Sequence, residues 1–272
     1  MFIYPEIDPI AIRIGSLAVA WYGLMYLMGF VAAYLLAKSR VKKLGSPINQ
    51  KQIDDLIFYA AIGVIAGGRL GYMIFYDFST LLSDPLGWTL SLPQLWNGGM
   101  SFHGGLIGVL LAMLLFARKI QQQFITIIDF IAPLVPIGLG LGRIGNFING
   151  ELWGKPTDFF LGFWFQGVVR HPTQLYEAFF EGLLLFVILW FFTTKQRTIG
   201  YSSAVFLIFY GIFRIGIEFF RLPDAQIGYL AWNWLTLGQV LSLPMLLIGC
   251  WIFYLSLIHI SEPTRPLYIS YA

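Results

Sequence analysis

Long apolar runs separated by short polar stretches dominate this chain. A transmembrane helix needs about 20 consecutive, mostly apolar residues. The runs of that length lie near 15–37, 55–76, 100–117, 126–147, 174–193, 201–219 and 236–256. This pattern predicts an all-α, polytopic membrane protein with about seven transmembrane helices. The shorter run at 79–96 contains Pro85 and Pro93, and it is predicted to form a re-entrant or interfacial segment.

Lysine and arginine residues are concentrated in alternate connections between these runs. Most of them lie in the loops at 38–54, 118–124 and 195–199. Cytoplasmic loops carry an excess of these residues, so we expect the N-terminus on the outer side and the C-terminus in the cytoplasm. The connections on the outer side are longer and more aromatic, which predicts that the functional face is the outer one.

The composition agrees with a membrane protein and excludes several other classes. Only 11% of the residues are charged, against about 25% in a soluble domain, and the mean hydropathy is +0.73. The net charge of +3 and the lack of a basic run exclude a nucleic-acid partner. The single cysteine, Cys250, excludes an intramolecular disulfide and a cysteine metal site. The sequence also lacks P-loop, HExxH and GxSxG motifs.

The chain is predicted to contain one transmembrane domain and an atypical tail. Residues 1–256 hold all the apolar runs and form the domain. Residues 257–272 are polar and proline-broken, and Arg265 is their only basic residue. A basic cytoplasmic flank is expected after the last span, so this tail is predicted to be foreign to the domain.

Three arginines interrupt the apolar runs, namely Arg69, Arg143 and Arg214. A charge at the centre of a bilayer costs roughly 2.5–3.5 kcal/mol on insertion scales. It persists where it faces a polar interior and holds an anion, so the arginines predict a pocket for phosphate or carboxylate. Arg69 is the exception, because its position near the middle of the second run favours an ion pair with an acid.

The sixth run carries a polar stripe. Its members are Tyr210, Arg214, Glu218 and Arg221, spaced four, four and three residues apart. Residues at this spacing share one helix face, so Arg214 and Glu218 are expected to pair and to direct the guanidinium group toward a ligand. The alternative is a purely structural ion pair between helices, involving Arg69 or Asp129.

The fourth run contains Pro133 and Pro136, followed by a glycine-rich stretch with Arg143 and Asn146. The prolines are expected to weaken the helix. A guanidinium fork matches phosphate geometry, and an amide can bond a sugar or glycerol hydroxyl. Arg143 and Asn146 are therefore candidate ligand-binding residues, and a structural polar cluster is the alternative.

Three further side chains lie near the membrane surface. His103 lies at the start of the third run between glycines, and histidine exchanges a proton near neutral pH. It is a candidate general base, with a structural hydrogen bond as the alternative. Tyr22 and Tyr26 lie four residues apart near the start of the first run, where an interfacial aromatic role is the usual one.

Several segments together resemble the prolipoprotein diacylglyceryl transferase family. The matching segments are PEIDP, WYGLMY, GGRLGY, GGMSFHGGLIG, GRIGNFINGELWG, RHPTQLYE and FRIGIEFFRLPDAQ. The resemblance implies a multi-pass enzyme of the bacterial inner membrane with a periplasmic N-terminus. It also implies transfer of the diacylglyceryl group of phosphatidylglycerol to the lipobox cysteine of a preprolipoprotein. That reaction takes place among the membrane lipids, forms a thioether and releases glycerol phosphate. The resemblance implies no metal and no organic cofactor.

The resemblance also assigns roles to residues. His103, Arg143 and Arg214 are expected to be catalytic. The expected substrate-binding residues are Arg143, Tyr26, Asn146, Glu151, Gly154 and Glu218, and the polar stripe adds Tyr210 and Arg221. A lipid or anion transporter would use the same arginines, but no internal repeat of the kind many transporters show is present. A membrane scaffold would not need these polar side chains.

Overall fold

The computed structural model describes residues 1–15, 17–42, 45–195, 197–223 and 228–261. Residues 262–272 of the predicted foreign tail lie outside these ranges, as does the DAQ of the last matching segment. The described coordinates form two compact units, residues 1–33 with 129–272, and residues 34–128. The prediction of one domain over residues 1–256 stays a prediction.

Helices make up most of the described chain. They are α1 Trp21–Val41, α2 Gln52–Phe75, α3 Phe78–Ser83, α4 Pro85–Ser91, α5 Phe102–Lys119, α6 Phe124–Ile131, α7 Val135–Ile148, α8 Thr173–Glu177, α9 Leu185–Phe192, α10 Tyr201–Glu218 and α11 Leu237–Ser261. A π-helix, Ala178–Leu184, joins α8 to α9 without a break. Within the described ranges, six helical segments are long and apolar enough to span a membrane, or seven if α6 and α7 form one span. The prediction of an all-α, multi-pass membrane protein is confirmed.

The first predicted span began too early. Residue 15 and residues 17–20 are not helical, because β2 (Ile10–Ile14) pairs antiparallel with β3 (Leu17–Ala20). The helix α1 begins only after this hairpin. An apolar run alone does not distinguish a strand from the first turns of a helix, which explains the error.

The fourth predicted span is broken. The helices α6 and α7 meet at an angle of 54°, and Pro136 occupies the first turn of α7. Proline has no backbone N–H to donate and clashes with the preceding turn. The predicted weakening of this helix is therefore confirmed, and α7 starts as a separate helix that carries Arg143.

The segment after α2 is too short and irregular to span a membrane. It contains α3, α4 and a 3₁₀ turn at Leu95–Asn97. Asp84 caps α4 by accepting a hydrogen bond from the backbone N–H of Gly87 at 3.0 Å. These short elements agree with the predicted re-entrant or interfacial segment.

Arg69 holds this irregular segment, and the prediction that it pairs with an acid was wrong. Its buried guanidinium donates to the backbone carbonyls of Ser91 (2.6 Å), Leu92 (3.3 Å), Gly98 (2.7 Å) and Gly99 (3.2 Å). No carboxylate among the described residues forms an ion pair with it. Irregular backbone at membrane depth has unsatisfied carbonyls, and one arginine with five N–H donors can satisfy several of them.

Glycines allow α2 and α5 to pack backbone against backbone. A Cβ atom on Gly71 would lie 2.6 Å from Gly104 Cα, and one on Gly108 would lie 2.8 Å from Gly67 Cα. Glycines four residues apart, such as Gly67 and Gly71, let helices approach closely, and the sequence predicts this packing role, which is confirmed here. The same prediction is wrong for Gly142, where a Cβ would meet nothing within 4 Å.

A small sheet in the unit of residues 1–33 and 129–272 positions the end of α7. The strand β1 (Phe2–Ile3) pairs parallel with β4 (Phe163–Phe165), which pairs antiparallel with β5 (Val168–Arg170). The hydroxyl of Tyr4 donates to the carbonyls of Phe147 and Ile148 at 2.8 and 2.9 Å. The sheet is therefore fixed to the C-terminus of the helix that carries the fourth-run candidates.

Candidate active site

Two fully buried glutamates, Glu177 and Glu181, lie at the centre of the candidate site. Neither side chain is exposed to solvent. The π-helix begins directly after Glu177 and contains Glu181, and π-turns occur frequently at functional sites. Gly182 in the same turn packs against Gly140 of α7, since a Cβ on Gly182 would lie 2.6 Å from Gly140 Cα. The two acids therefore face α7 closely.

Glu177 contacts three arginines. Its Oε1 accepts a short hydrogen bond from Nη1 of Arg214 and a second one, at 3.2 Å, from Nη1 of Arg221. Its Oε2 lies 3.4 Å from Nε of Arg143. One carboxylate thus links Arg143 of α7 with Arg214 and Arg221, two members of the predicted polar stripe.

Glu181 contacts two of the same arginines at longer distances. Its Oε2 lies 3.5 Å from Nη2 of Arg143, and its Oε1 lies 3.7 Å from Nη1 of Arg214. Arg214 also pairs with Glu218 through Nη2 at 2.5 Å, as their spacing on α10 predicts. Each terminal nitrogen of Arg214 therefore already has a carboxylate partner.

Six side chains form what we call the charge cluster, namely Arg143, Arg214, Arg221, Glu177, Glu181 and Glu218. The cluster contains three positive and three negative groups, so its formal charges cancel. Desolvating a single ion costs several kcal/mol, and mutual pairing offsets this cost only when partners are close. Balanced pairing therefore explains how three arginines persist in the apolar interior.

Arg143 presents the open side of the charge cluster. Its side chain is 21% exposed, against 13% for Arg214 and none for the two central glutamates. Its Nε and Nη2 face Glu177 and Glu181, whereas its Nη1 forms no ion pair or hydrogen bond within the described chain. The arrangement leaves one guanidinium nitrogen directed away from the glutamates and available to an anion.

Glu218 connects the cluster to the start of α11. Its Oε2 accepts a hydrogen bond from Oγ1 of Thr236 at 2.8 Å, and Thr236 in turn accepts from the backbone N–H of Gln239 at 3.3 Å. Thr236 is therefore the N-cap of α11. Tyr210, one turn before Arg214, interacts electrostatically with Glu181, Arg143 and Arg214.

Asn146 and Glu151 form a second polar pair. The buried amide of Asn146 donates to Oε2 of the exposed Glu151 at 3.3 Å. Gly154 has a steric role, since a Cβ there would lie 2.7 Å from both Cβ of His171 and the carbonyl of Phe220. The ring of Tyr26 is 44% exposed. The ligand-binding roles of these residues stay predictions.

His103 lies in the first turn of α5, in the unit of residues 34–128. Its side chain is exposed, and its ring lies edge-on to Phe102 at 5.6 Å. Within the described residues the imidazole makes no hydrogen bond, so the structure offers no support for a purely structural hydrogen bond. Its role as a base stays a prediction.

His171 lies in the turn that precedes α8. Its carbonyl accepts from the backbone N–H of Thr173 at 2.9 Å, and Nδ1 lies 3.1 Å from the hydroxyl of Tyr176. Burial lowers the pKa of His171 below its ordinary value. Burial thus favours the neutral imidazole, and its contact with Tyr176 helps to hold the chain entering α8.

Sequence reasoning missed Glu177 and Glu181, although a signal was present. They are two acids four residues apart inside an apolar run, and intramembrane acids are candidates for function by default. In the part of the chain that the structure describes, no group of three or more histidine, cysteine or acidic residues is arranged to hold a metal ion. Fold and site together define a multi-pass membrane protein with a balanced charge cluster buried among its helices.

Known proteins place the chain within that class. The sequence profile of the family Prolipoprotein diacylglyceryl transferase matches residues 9–255. The chain is 53% identical over 257 residues to the phosphatidylglycerol–prolipoprotein diacylglyceryl transferase of Solidesulfovibrio magneticus, covering 93% of this chain and 96% of that protein. The protein of the same name from Methylococcus capsulatus is 54% identical over 253 residues, covering 92% and 95%. This chain belongs to the prolipoprotein diacylglyceryl transferase family.

Proposed function

We propose that this protein transfers the diacylglyceryl group of phosphatidylglycerol to the lipobox cysteine thiol of a preprolipoprotein. The transfer forms a thioether and releases glycerol phosphate. The observation that carries this proposal is the Nη1 nitrogen of Arg143, which has no partner within the described residues. The other two guanidinium nitrogens of Arg143 are paired with Glu177 and Glu181. An anionic phosphodiester is the substrate group that this donor fits.

The proposed reaction breaks one carbon–oxygen bond. The thiolate sulfur attacks the glyceryl carbon that bears the phosphate, and the electron pair of the broken bond leaves with the phosphate oxygen. Negative charge therefore grows on that oxygen, and a preorganised donor stabilises it. Arg143 is the donor, while Glu177 and Glu181 fix the orientation of its guanidinium. Arg214 forms ion pairs with three carboxylates and fixes their orientation.

The direct test is formation of the thioether in vitro. Purified protein in detergent, a lipobox peptide and phosphatidylglycerol should yield a peptide whose mass increases by one diacylglyceryl group. A peptide with serine in place of the lipobox cysteine is the control, because its hydroxyl is a far weaker nucleophile. Lipid movement across vesicles without any peptide product would instead support the transporter alternative.

We expect His103→Gln to lower turnover while phosphatidylglycerol binding persists. If the imidazole accepts the thiol proton, raising the pH should partly restore the rate, because more of the thiol then ionises by itself. His171→Gln is the comparison, since His171 is held in a turn and should affect stability without any rescue by pH. Loss of folded protein in His103→Gln, with normal turnover in the remainder, would assign it a structural role.

We propose a bacterial inner-membrane location with the N-terminus outside and the C-terminus in the cytoplasm. This orientation is supported by the basic loops at 38–54, 118–124 and 195–199. In a Cys250→Ser background, a cysteine replacing Ser46 should react with an impermeant maleimide only after permeabilisation. A cysteine replacing Thr157 should react in intact spheroplasts. The reverse labelling pattern would overturn the orientation.

A further inference from the structure

The balanced charge cluster has a consequence for binding an anion. Its three arginines and three glutamates cancel formally, so an arriving phosphodiester leaves the site with one excess negative charge. Uncompensated charge in a buried site costs several kcal/mol. A compensating positive charge must therefore arrive with the lipid, and a proton is the smallest one.

Glu181 is the least firmly paired acid in the cluster. Its two arginine contacts are 3.5 and 3.7 Å long, whereas Glu177 contacts three arginines and Glu218 pairs with Arg214 at 2.5 Å. Its Oε1 is buried and accepts no hydrogen bond within the described residues. A proton on that oxygen would displace no existing hydrogen bond. The same holds for Oε2 of Glu177, but that oxygen lies 3.4 Å from Nε of Arg143, a closer ion pair than the 3.7 Å contact of Glu181 Oε1.

Binding at Arg143 weakens this pairing further. The Nη2 of Arg143 is the only group that donates a hydrogen bond to Glu181 within the described part of the chain. A phosphodiester bound at Nη1 of Arg143 shares the positive charge that compensates Glu181, and the other arginine contact of this acid, to Arg214, is 3.7 Å long. A carboxylate with no solvent exposure cannot be compensated by water, so its charged form becomes unfavourable.

We propose that Glu181 takes up one proton from solvent when the anionic phosphodiester of the lipid binds to Arg143. This inference rests on the proposed function and adds a positioning residue to it. The charged and titratable groups that face Glu181 are Arg143 on α7, Arg214 and Tyr210 on α10, and Glu177 on its own helical segment. A protonated Glu181 keeps the site neutral while Nη1 of Arg143 binds the phosphate.

The pH dependence of binding follows from this linkage. When binding takes up one proton, affinity falls by up to about tenfold for each unit of rising pH. Glutamine resembles the protonated acid in shape and carries no charge. Glu181→Gln should therefore bind with an affinity that is independent of pH, and the change should appear in KM more than in kcat.

The experiment is titration calorimetry with dihexanoyl-phosphatidylglycerol, whose phosphodiester keeps a single negative charge across the pH range of the assay. Measured in two buffers of different ionisation enthalpy, the wild-type protein should take up about one proton and Glu181→Gln none. Asp55→Asn is the control, because this remote acid pairs with Lys119 at an exposed site and should keep the wild-type behaviour. His103→Gln should also keep the proton uptake, which separates Glu181 from the histidine.

Infrared difference spectra of the wild-type protein provide a readout that does not depend on folding of a variant. Adding the lipid should produce a protonated-carboxyl band that is absent without lipid. Lipid binding with no proton uptake and no such band would overturn the inference while leaving the transferase function intact. Proton uptake that persists in Glu181→Gln would also overturn it. Failure of the wild-type protein to bind or transfer the lipid would instead refute the proposed function.

Discussion

Arg143→Lys should lower turnover by about 10²–10³-fold even though the positive charge is retained. Lysine offers a compact charge without the planar fork of arginine, so it cannot contact both glutamates and still direct a donor outward. Losing one donor to a developing anion costs roughly 2.7–4 kcal/mol. Arg143→Ala should be lower still. The measurement is the initial rate of thioether formation with the lipobox peptide, normalised to folded protein.

Arg13→Lys is the matched control for this substitution. Arg13 pairs with Asp8 at 3.7 Å on the exposed strand β2, so the same chemical change should leave turnover near the wild-type rate.

Arg214→Lys should also lower turnover. Combining it with Arg143→Lys should lower turnover by less than the two single effects together, because the effects of residues in one network are not additive. Near-normal turnover in folded Arg143→Ala protein would refute the role of Arg143 at the phosphate.

Glu177→Ala should have the largest effect on stability. The change removes the carboxylate that contacts Arg143, Arg214 and Arg221, and it leaves the buried cluster with one excess positive charge. Removing one partner from a buried ion pair typically destabilises a protein by about 3–5 kcal/mol. Thermal unfolding in detergent should show a clear decrease in the Tm and a reduced yield of folded protein.

Two variants test whether charge balance is the cause. Adding Arg221→Ala to Glu177→Ala restores the formal balance and should recover part of the lost Tm. Asp55→Ala removes an acid from an exposed pair with Lys119, and should change the Tm little because water screens such pairs. A normal Tm in Glu177→Ala would show that the cluster does not depend on this carboxylate.

The features that could be predicted from the sequence are those that depend on one short segment of the chain alone. The stripe on α10 requires only helical spacing, so the pairing of Arg214 with Glu218 could be anticipated. The break before α7 follows from Pro136 in the same way. The partners of Arg69 could not be anticipated, because backbone carbonyls leave no sequence signal. Glu177 was overlooked because its significance depends on arginines that lie 37 and 44 residues further along the chain.

The sheet that joins the start of the chain to its middle constrains how the chain threads the bilayer. The backbone N–H of Phe2 donates to Gly162 at 3.0 Å, and that of Tyr4 donates to Trp164 at 3.1 Å. Paired strands must lie on the same side of the bilayer, so the chain between them crosses it an even number of times. The helices α1, α2 and α5 are each long and apolar enough to cross once. If each of them does, the bent pair of α6 and α7 supplies the fourth crossing and passes through the bilayer rather than returning to the side it entered.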